Sequence, residues 1–493
     1  MRISDLNDDV VFCIVTQSLL PRTDLSVLSR TCHRFHQLLS PILLKQPVWL
    51  NRSNLASFAS FVQAGSLRDA AFSVPLRSIN FDVLPNSPDS PTMEESVSLF
   101  SELLKYTPHL TELVIHDIVR AFTPERLRNI LVSLRSLQTV TLCELTSNYS
   151  RVLSDICPNL KTIVLALVVD ESHIDFHAVF SPVDPRPFLQ SHSPSITKLV
   201  LYQVILDASG TPFPGVVDLQ ISDYGVSDAD TGFTGPLVHL FPNVERVQLL
   251  SLQSDQGVIT PSFLHSGSLQ AATDLRSTCT RWQDTHGTWA NGLRHIEVGS
   301  LVDLYCLGLR CHVARVKIWF PSDPIGIAHT ALADVRPRCL QFSIFRLREI
   351  EDVLQLLAAV SQIRSLDHLV IDVSPGLFHE LSPFWLLIQL RNELLGSYVT
   401  HILVHVNDNV DEGVPSINGP TASMCSADIY TRAEELLERL VYGNSTLHRV
   451  FLDVKGFGLR ALERGSNGDW EGRLEIQEVD ARRILAAEDM LLL

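Results

Sequence analysis
The sequence predicts an α/β solenoid, in which parallel strands alternate with helices and each repeat stacks on the last, preceded by a small three-helix bundle. Three observations predict it. One apolar phrase returns along the 493 residues, capped helical stretches lie between its copies, and residues 1–50 carry helical periodicity without the phrase that marks residues 51–493. Hydrophobic residues make up 45% of the chain, ample for a large core. Length alone would suggest about three domains of roughly 150 residues, but repeat proteins grow as one continuous unit.

The bundle comes first. Asn7 caps a helix expected from Asp8 to Leu19, with Asp8 and Asp9 suited to its N-terminal end. Pro21 breaks it. In "DLSVLSRTCHRFHQLLSP" the apolar residues Leu25, Leu28, Cys32, Phe35 and Leu39 fall three or four apart and draw one stripe over two further short helices. Thr31 is expected to cap the second of these. Such a bundle buries little surface, and below about 40 residues a domain needs help from a neighbouring domain or a partner.

The returning phrase follows: "TELVIHDI", "LQTVTLCEL", "LKTIVLAL", "ITKLVLYQV", "VERVQLLSL", "LRHIEVGSL", "VARVKIWF", "LDHLVIDV", "VTHILVHV" and "LHRVFLDV". Each reads apolar-x-x-apolar-x-apolar, the core of a leucine-rich repeat. "PLRSINFDV" from Pro75 reads as the first copy, and "VVDLQISDY" and "RCLQFSIF" as degraded ones. Ile163 and Leu165 alternate with Thr162 and Val164, so such a strand buries one face and shows the other. Copies at Leu113, Val140 and Ile163 lie 27 and 23 residues apart. From Val247 to Ile296 the interval is 49, which means either an insertion or a copy that has lost its pattern.

Between the copies lie helices. "TMEESVSLFSELLKY" opens with Thr92 and Glu95 at capping-box spacing, and "FTPERLRNILVSL" puts Pro124 at the first helical position, where its missing N–H does no harm. Prolines 108, 158, 194 and 242 stop a segment just ahead of a strand phrase. Parallel strands joined through helices by short links coil right-handed and share one core. The irregular intervals leave an ordinary α/β sheet as the alternative. Asp82–Pro91, Gly225–Pro236 and Asp408–Pro420 are turn-rich and predict surface loops. Irregular insertions are expected near 253–290 and 408–427, and Gln253 to Trp289 contains no strand phrase.

Composition excludes several classes. Lysine and arginine total 39 against 55 aspartate and glutamate, a formal charge of −16, which argues against nucleic acid because phosphate neutralisation needs a basic face. The longest apolar run, Ile163–Val169, is far short of the roughly 20 residues of a membrane helix, and "MRISDLNDDV" lacks a signal-peptide core, so no membrane partner is expected. Nine scattered cysteines without Cys-x-x-Cys predict reduced thiols, in cytoplasm or nucleus.

Three arrangements imitate chemistry. Gly456, Gly458 and Ala461 match Gly-x-Gly-x-x-Ala with Glu478 further on, but Gly465 and Gly468 interrupt the crossover helix that a dinucleotide site needs. His173 and His177 sit one turn apart beside Asp170, two imidazoles without a third assigned ligand. Cys32 with His33 and His36 lies on the apolar stripe, where a cysteine is by default a small buried hydrophobe. No Gly-x-Ser-x-Gly, Walker loop or His-Glu-x-x-His occurs. The chain reads as a non-enzyme with no cofactor and no metal.

The opening segment resembles the F-box. That family's pattern runs from Leu-Pro with acidic residues through an apolar helix, a Leu-x-Pro-like break, Asp-Leu and a Cys-Arg-x-Phe-type phrase. Here these are Leu6, Asp8, Asp9, Val10 and Ile14, then Leu20 with Pro21, Asp24 with Leu25, Leu28, and Cys32 with Phe35; Asn7 stands where the family usually has proline. With the repeats, the whole is similar to the F-box proteins with leucine-rich repeats that are numerous in fungi. The resemblance implies that Leu6, Val10, Ile14, Leu20, Pro21, Leu25, Leu28, Cys32 and Phe35 hold a Skp-type adaptor of a cullin–RING (SCF-type) ubiquitin ligase. The repeats would then hold a protein substrate. A different class of function is a protein-binding scaffold whose bundle only caps the solenoid.

A docking face for that substrate follows from strand alternation. The residues between buried positions are Lys198, Val200 and Tyr202, then Arg246 and Gln248, His295 and Glu297, and Arg315, Lys317 and Trp319. This strip is basic and aromatic, so an acidic or phosphorylated partner segment is expected along an open sheet face.

Overall fold
The computed structural model describes residues 22–31, 33–68, 75–83, 91–153, 160–168, 183–192, 194–226, 230–250, 253–254, 257–258, 269–320, 326–344, 350–374, 377, 383–406, 431–454, 458–465, 469–476, 478–487 and 490. They fall into two compact units, 1–204 and 205–493.

The first unit opens with the helices Arg22–Ser29 and His33–Lys45, whose shared core is Leu25, Phe35 and Leu39, with Leu28, Leu38, Ile42 and Leu43 packed against it. Thr31 donates its hydroxyl to the Leu28 carbonyl at 2.7 Å, closing the helix before it where a cap on the helix after it was expected. The expected helix from Asp8 to Leu19 lies outside the described residues. Strands β1 (Val48–Asn51), β2 (Ser78–Asp82), β3 (Glu112–Ile115), β4 (Thr139–Leu145), β5 (Thr162–Leu167) and β6 (Lys198–Leu206) then follow in chain order, each parallel to the next. "PLRSINFDV" is therefore the second strand, not the first copy. β1 precedes it, with Val48 and Leu50 buried and Trp49 between them exposed.

Helices connect these strands as the spacing predicts. Met93–Lys105 has the complete capping box, Thr92 accepting from the Glu95 N–H while Glu95 accepts from the Thr92 N–H. Pro124 is the first residue of the helix Pro124–Ser133, with Thr123 as its cap. One face of the sheet packs on this helical layer: Phe81 of β2 stacks on Phe100 at 4.2 Å, and Phe122 meets both rings edge-on. Every second residue is buried along β3 and β5, and along β4 until the register shifts between Cys143 and Leu145.

The second unit holds β7 (Asp218–Val226), β8 (Arg246–Leu249), the two-residue hairpin β9 (Gln253–Ser254) and β10 (Gly257–Val258), and β11 (Leu293–Ser300). After them come β12 (Val313–Phe320), β13 (Cys339–Ile344), β14 (His368–Val373), β15 (His401–Val406), β16 (Arg449–Val454), β17 (Gly458–Arg464) and β18 (Trp470–Ile476). β8 pairs directly with β11, Val247 opposite Ile296, so the 49-residue interval is an insertion. It carries the hairpin and the helix Leu269–His286. That helix buries Cys279 and Gln283. Gln283 donates to the Gly308 carbonyl at 2.9 Å and accepts from the Arg310 N–H at 2.9 Å, tying the insertion to the end of the helix Leu301–Leu307. Gly308 has φ +50°, and a Cβ there would meet Thr280 Cγ2 at 2.8 Å, so the contact needs glycine twice over.

Two expectations fail in this unit. The end of the Gly225–Pro236 stretch is not a surface loop: Phe233, Thr234 and Gly235 are buried at the start of the helix Thr234–Leu240, and Tyr224 donates to the Phe233 carbonyl at 2.6 Å, while 227–229 lie outside the described residues. The strands are parallel only as far as β16, since β17 and β18 return antiparallel. Gly458 and Ala461 belong to β17, so the Gly-x-Gly-x-x-Ala match opens an antiparallel strand and not a crossover helix. Asp408–Pro420 and the rest of 408–427 lie outside the described residues.

The repeat leaves a mark beyond spacing. Asp117, Glu144, Gln203 and Asp223 all have φ between 54° and 62°, and each stands five residues after the first residue of its strand (112, 139, 198 and 218). Left-handed backbone is uncommon outside glycine, so four copies of it in one register identify one backbone template. The described chain is a leucine-rich-repeat-like stack of parallel strands alternating with helices. Among the described residues no helix is long and apolar enough to cross a membrane.

Candidate functional site
The strand register places the substrate-strip residues in rows on the sheet face opposite the helices. In the second unit Arg246, His295 and Arg315 are neighbours across β8, β11 and β12, and Gln248, Glu297 and Lys317 form the next row. Trp319 follows two residues beyond Lys317. In the first unit Lys198 lies beside Thr162 at the start of β6, Val200 is buried and Tyr202 is 41% exposed.

Apart from Arg246, which is exposed, the strip in the second unit is not open. His295, Glu297 and Arg315 are buried, at 6%, 9% and 7% exposure. Glu297 organises its own row: Trp319 Nε1 donates at 2.6 Å, Gln248 Nε2 at 3.1 Å and Lys317 Nζ at 3.2 Å, and His295 Nε2 stands 3.6 Å away. Lys317 Nζ also lies 4.0 Å from the centre of the Trp319 ring. Burial alone would raise the Glu297 pKa, but His295, the Lys317 charge and the Trp319 N–H outweigh it and hold the carboxyl below its usual range. The lysine and tryptophan expected to meet a partner thus hold a carboxylate of their own chain.

Arg315 is engaged in the same way. Its Nη2 donates to Gln341 Oε1 at 2.6 Å and to the Met490 carbonyl at 3.0 Å. From there a polar chain crosses the sheet: Gln341 donates to Asp372 at 2.7 Å, and His405 lies between Asp372 and Asp453 at 3.3 Å and 3.4 Å. Beside it runs an apolar row of Val370, Leu403, Phe451 and Ala461, in register on β14 to β17. Leu485 of the C-terminal helix Glu478–Ala487 and Met490 beyond it complete one buried cluster with this row, Cys339 and Leu459. The chain's own C-terminal segment therefore covers this part of the face.

Neither that segment nor the His368–His401 ring stack at 4.5 Å was anticipated from sequence. A signal existed. "LVIDV", "ILVHV" and "VFLDV" hold three successive apolar residues where "KTIVLAL" alternates with a threonine, and strands covered on both faces lose their alternation.

Of the expected adaptor residues, Leu25 and Phe35 lie in the core of the helical pair and Leu28 is half-buried. Leu6, Val10, Ile14, Leu20, Pro21 and Cys32 lie outside the described residues, as do Asp170, His173 and His177. The buried thiols Cys279, Cys306 and Cys311 are pushed up by burial, and Cys143 to about 11 by burial and then by Glu144 and Asp117, so all four are protonated near neutrality. Among the described residues no group of three or more His, Cys, Asp or Glu is placed to hold a metal. No family model matches the chain, and no curated protein matches it either.

Proposed function
We propose that the chain is the substrate-recognition subunit of a cullin–RING ubiquitin ligase, with its F-box-like N-terminal helices held by a Skp-type adaptor and its repeats holding a protein substrate. One observation carries the reading: a pair of short helices, Arg22–Ser29 and His33–Lys45, packed on Leu25, Phe35 and Leu39, precedes a repeat stack. The chain ahead of β1 is short, and so short a helical module is consistent with one completed by another protein. On this reading the chain supplies no reacting group. It tethers substrate near a recruited enzyme, and tethering alone raises local concentration into the millimolar range.

The test is capture of a Skp-type adaptor by the full chain. Leu25 is 2% exposed, so replacing it would disturb the pair itself. Polar substitution of Leu6 and Pro21 is the sharper change, and it should abolish capture without lowering the melting temperature. Capture that survives both substitutions overturns the proposal.

A second reading, that the bundle only caps the solenoid, is favoured by the short link from Lys45 to β1 at Val48 and by the buried Leu44 at its end. Deletion of residues 1–46 separates the two. A cap predicts aggregation through the uncovered first repeat; a ligase module predicts a folded solenoid that captures no adaptor.

A further inference from the structure
We propose that a hollow on the rim of the first unit, bounded by Arg77, Arg135 and Lys161, is an anion site that takes a phosphate monoester. It goes beyond the ligase reading and does not depend on it. The hollow has a volume of about 500 Å³ and is lined by Arg77, Thr111, Arg135, Ser136, Gln138 and Lys161.

The repeat builds it. Arg77, Thr111, Gln138 and Lys161 each stand one residue before β2, β3, β4 and β5, and they are strung together by their backbones. The Thr111 N–H donates to the Arg77 carbonyl, that of Gln138 to Thr111 and that of Lys161 to Gln138, at 2.8–2.9 Å. Adjacent strands lie about 4.8 Å apart, so the row spans about 14 Å from Arg77 to Lys161. Arg135 and Ser136 enter between them from the turn after the helix Pro124–Ser133.

The chemistry of the wall selects the ligand. Among the described residues three cations and no carboxylate line it, in a chain with sixteen more acids than bases. Arg77 Nη1 donates to the His109 carbonyl at 2.9 Å, which fixes the guanidinium, and Thr111 Oγ1 donates to the Arg77 carbonyl at 3.1 Å, which fixes the loop. Among the described residues neither Arg77 nor Lys161 pairs with a carboxylate. Glu112, the nearest acid in the row's sequence, belongs to β3 and does not line the hollow. Guanidinium, ammonium, hydroxyl and amide groups donate, and a phosphate monoester offers only acceptors and nearly two negative charges. Among the described residues no aromatic or large aliphatic side chain lines the hollow to seat a nucleobase or an acyl chain.

A second rim hollow, in the other unit, shows the contrast. It is lined by His401, His448, Arg449, Glu463, Arg464 and Gly465, and Glu463 accepts from Arg449 at 2.6 Å. Its own carboxylate already answers the arginine.

The phosphate could be free or carried on a serine of a protein, and the experiment distinguishes these sources. Calorimetric titration of the full chain would use inorganic phosphate, a phosphoserine peptide pool with degenerate flanks, and the same pool unphosphorylated. Binding of phosphate and of the phosphorylated pool, in competition, assigns the site to a phosphorylated segment; binding of phosphate alone assigns it to a free anion. In either case R135Q/K161Q should weaken binding at least tenfold and flatten its salt dependence, while R464Q in the second hollow changes nothing. Lys161 is exposed, so K161Q alone keeps the test available should the double variant melt lower. The proposal is overturned if neither phosphate nor the phosphorylated pool binds, or if binding survives both substitutions. Adaptor capture is unaffected by either variant, so failure here leaves the ligase reading standing.

Discussion
Glu297 draws four side chains from three strands onto one carboxylate, and its value depends on remaining charged. Its folded-state pKa is lowered, so the stability it contributes is complete above its unfolded value, roughly 4.3, and is lost as pH falls through the folded value. E297Q should therefore flatten the acid limb of a stability–pH profile below about pH 5. Near neutrality it should cost about 2–3 kcal/mol, less than the roughly 3–5 kcal/mol for breaking a fully buried pair, because Lys317 keeps some solvent contact. Urea denaturation from acid to neutral pH reads both effects; a variant with an unchanged acid limb would show that the carboxylate is not the organiser. The alternation of "LRHIEVGSL" and "VARVKIWF" placed Glu297, Lys317 and Trp319 correctly on one face. It could not reveal that they face one another, because cross-strand partnership depends on register between segments twenty residues apart.

At the scale of the element, helix ends and strand ends carry the backbone strain. Arg336 closes the helix Ala328–Val335 with φ 45°, its N–H donating to the Leu332 carbonyl at 2.8 Å. Glycine is the usual residue at such a left-handed terminus. Arg336→Gly should raise stability by about 0.5–1 kcal/mol, read as a higher urea midpoint at constant slope. A lower midpoint would mean that the arginine side chain contributes more than its backbone strain costs. Elements with a local chemical signature were legible: the Thr92 capping box, Pro124 and every strand phrase named from sequence coincide with observed elements. β1 was not, since Val48, Trp49 and Leu50 are apolar in a row and a four-residue strand of that kind shows no alternation. The helix Leu269–His286 was obscure for another reason. It buries a glutamine and small residues, held by hydrogen bonds to the helix end beside it, where an apolar stripe would have announced it.

For the whole molecule, the C-terminal segment is the piece on which the second face of the sheet depends. Leu485 and Met490 are 1% and 0% exposed, and burying each contributes about 1.5–3 kcal/mol. Removing residues 478–493 would uncover Val370, Leu403 and Phe451 in one apolar row. The truncated chain should bind a hydrophobic dye, melt lower and associate with itself at micromolar concentration, as light scattering would show; a monomeric, dye-silent product would mean the row is covered by something else. Sequence could not supply this contact, because nothing in "ARRILAAEDML" states which distant surface it meets. The two antiparallel strands before it have a mechanical consequence. Tension applied at the C-terminus, once the helix has come away, meets β18 at the open end of a hairpin, the Leu459–Ile476 pair. Its hydrogen bonds are loaded one after another, as in a zipper, and β17 peels from β16 in the same manner. On the other side of β16 most strands are joined to the next through a helix, so force reaches those repeats as blocks. Pulled from this end, the chain begins to yield like a torn tab and only afterwards resists like a stack.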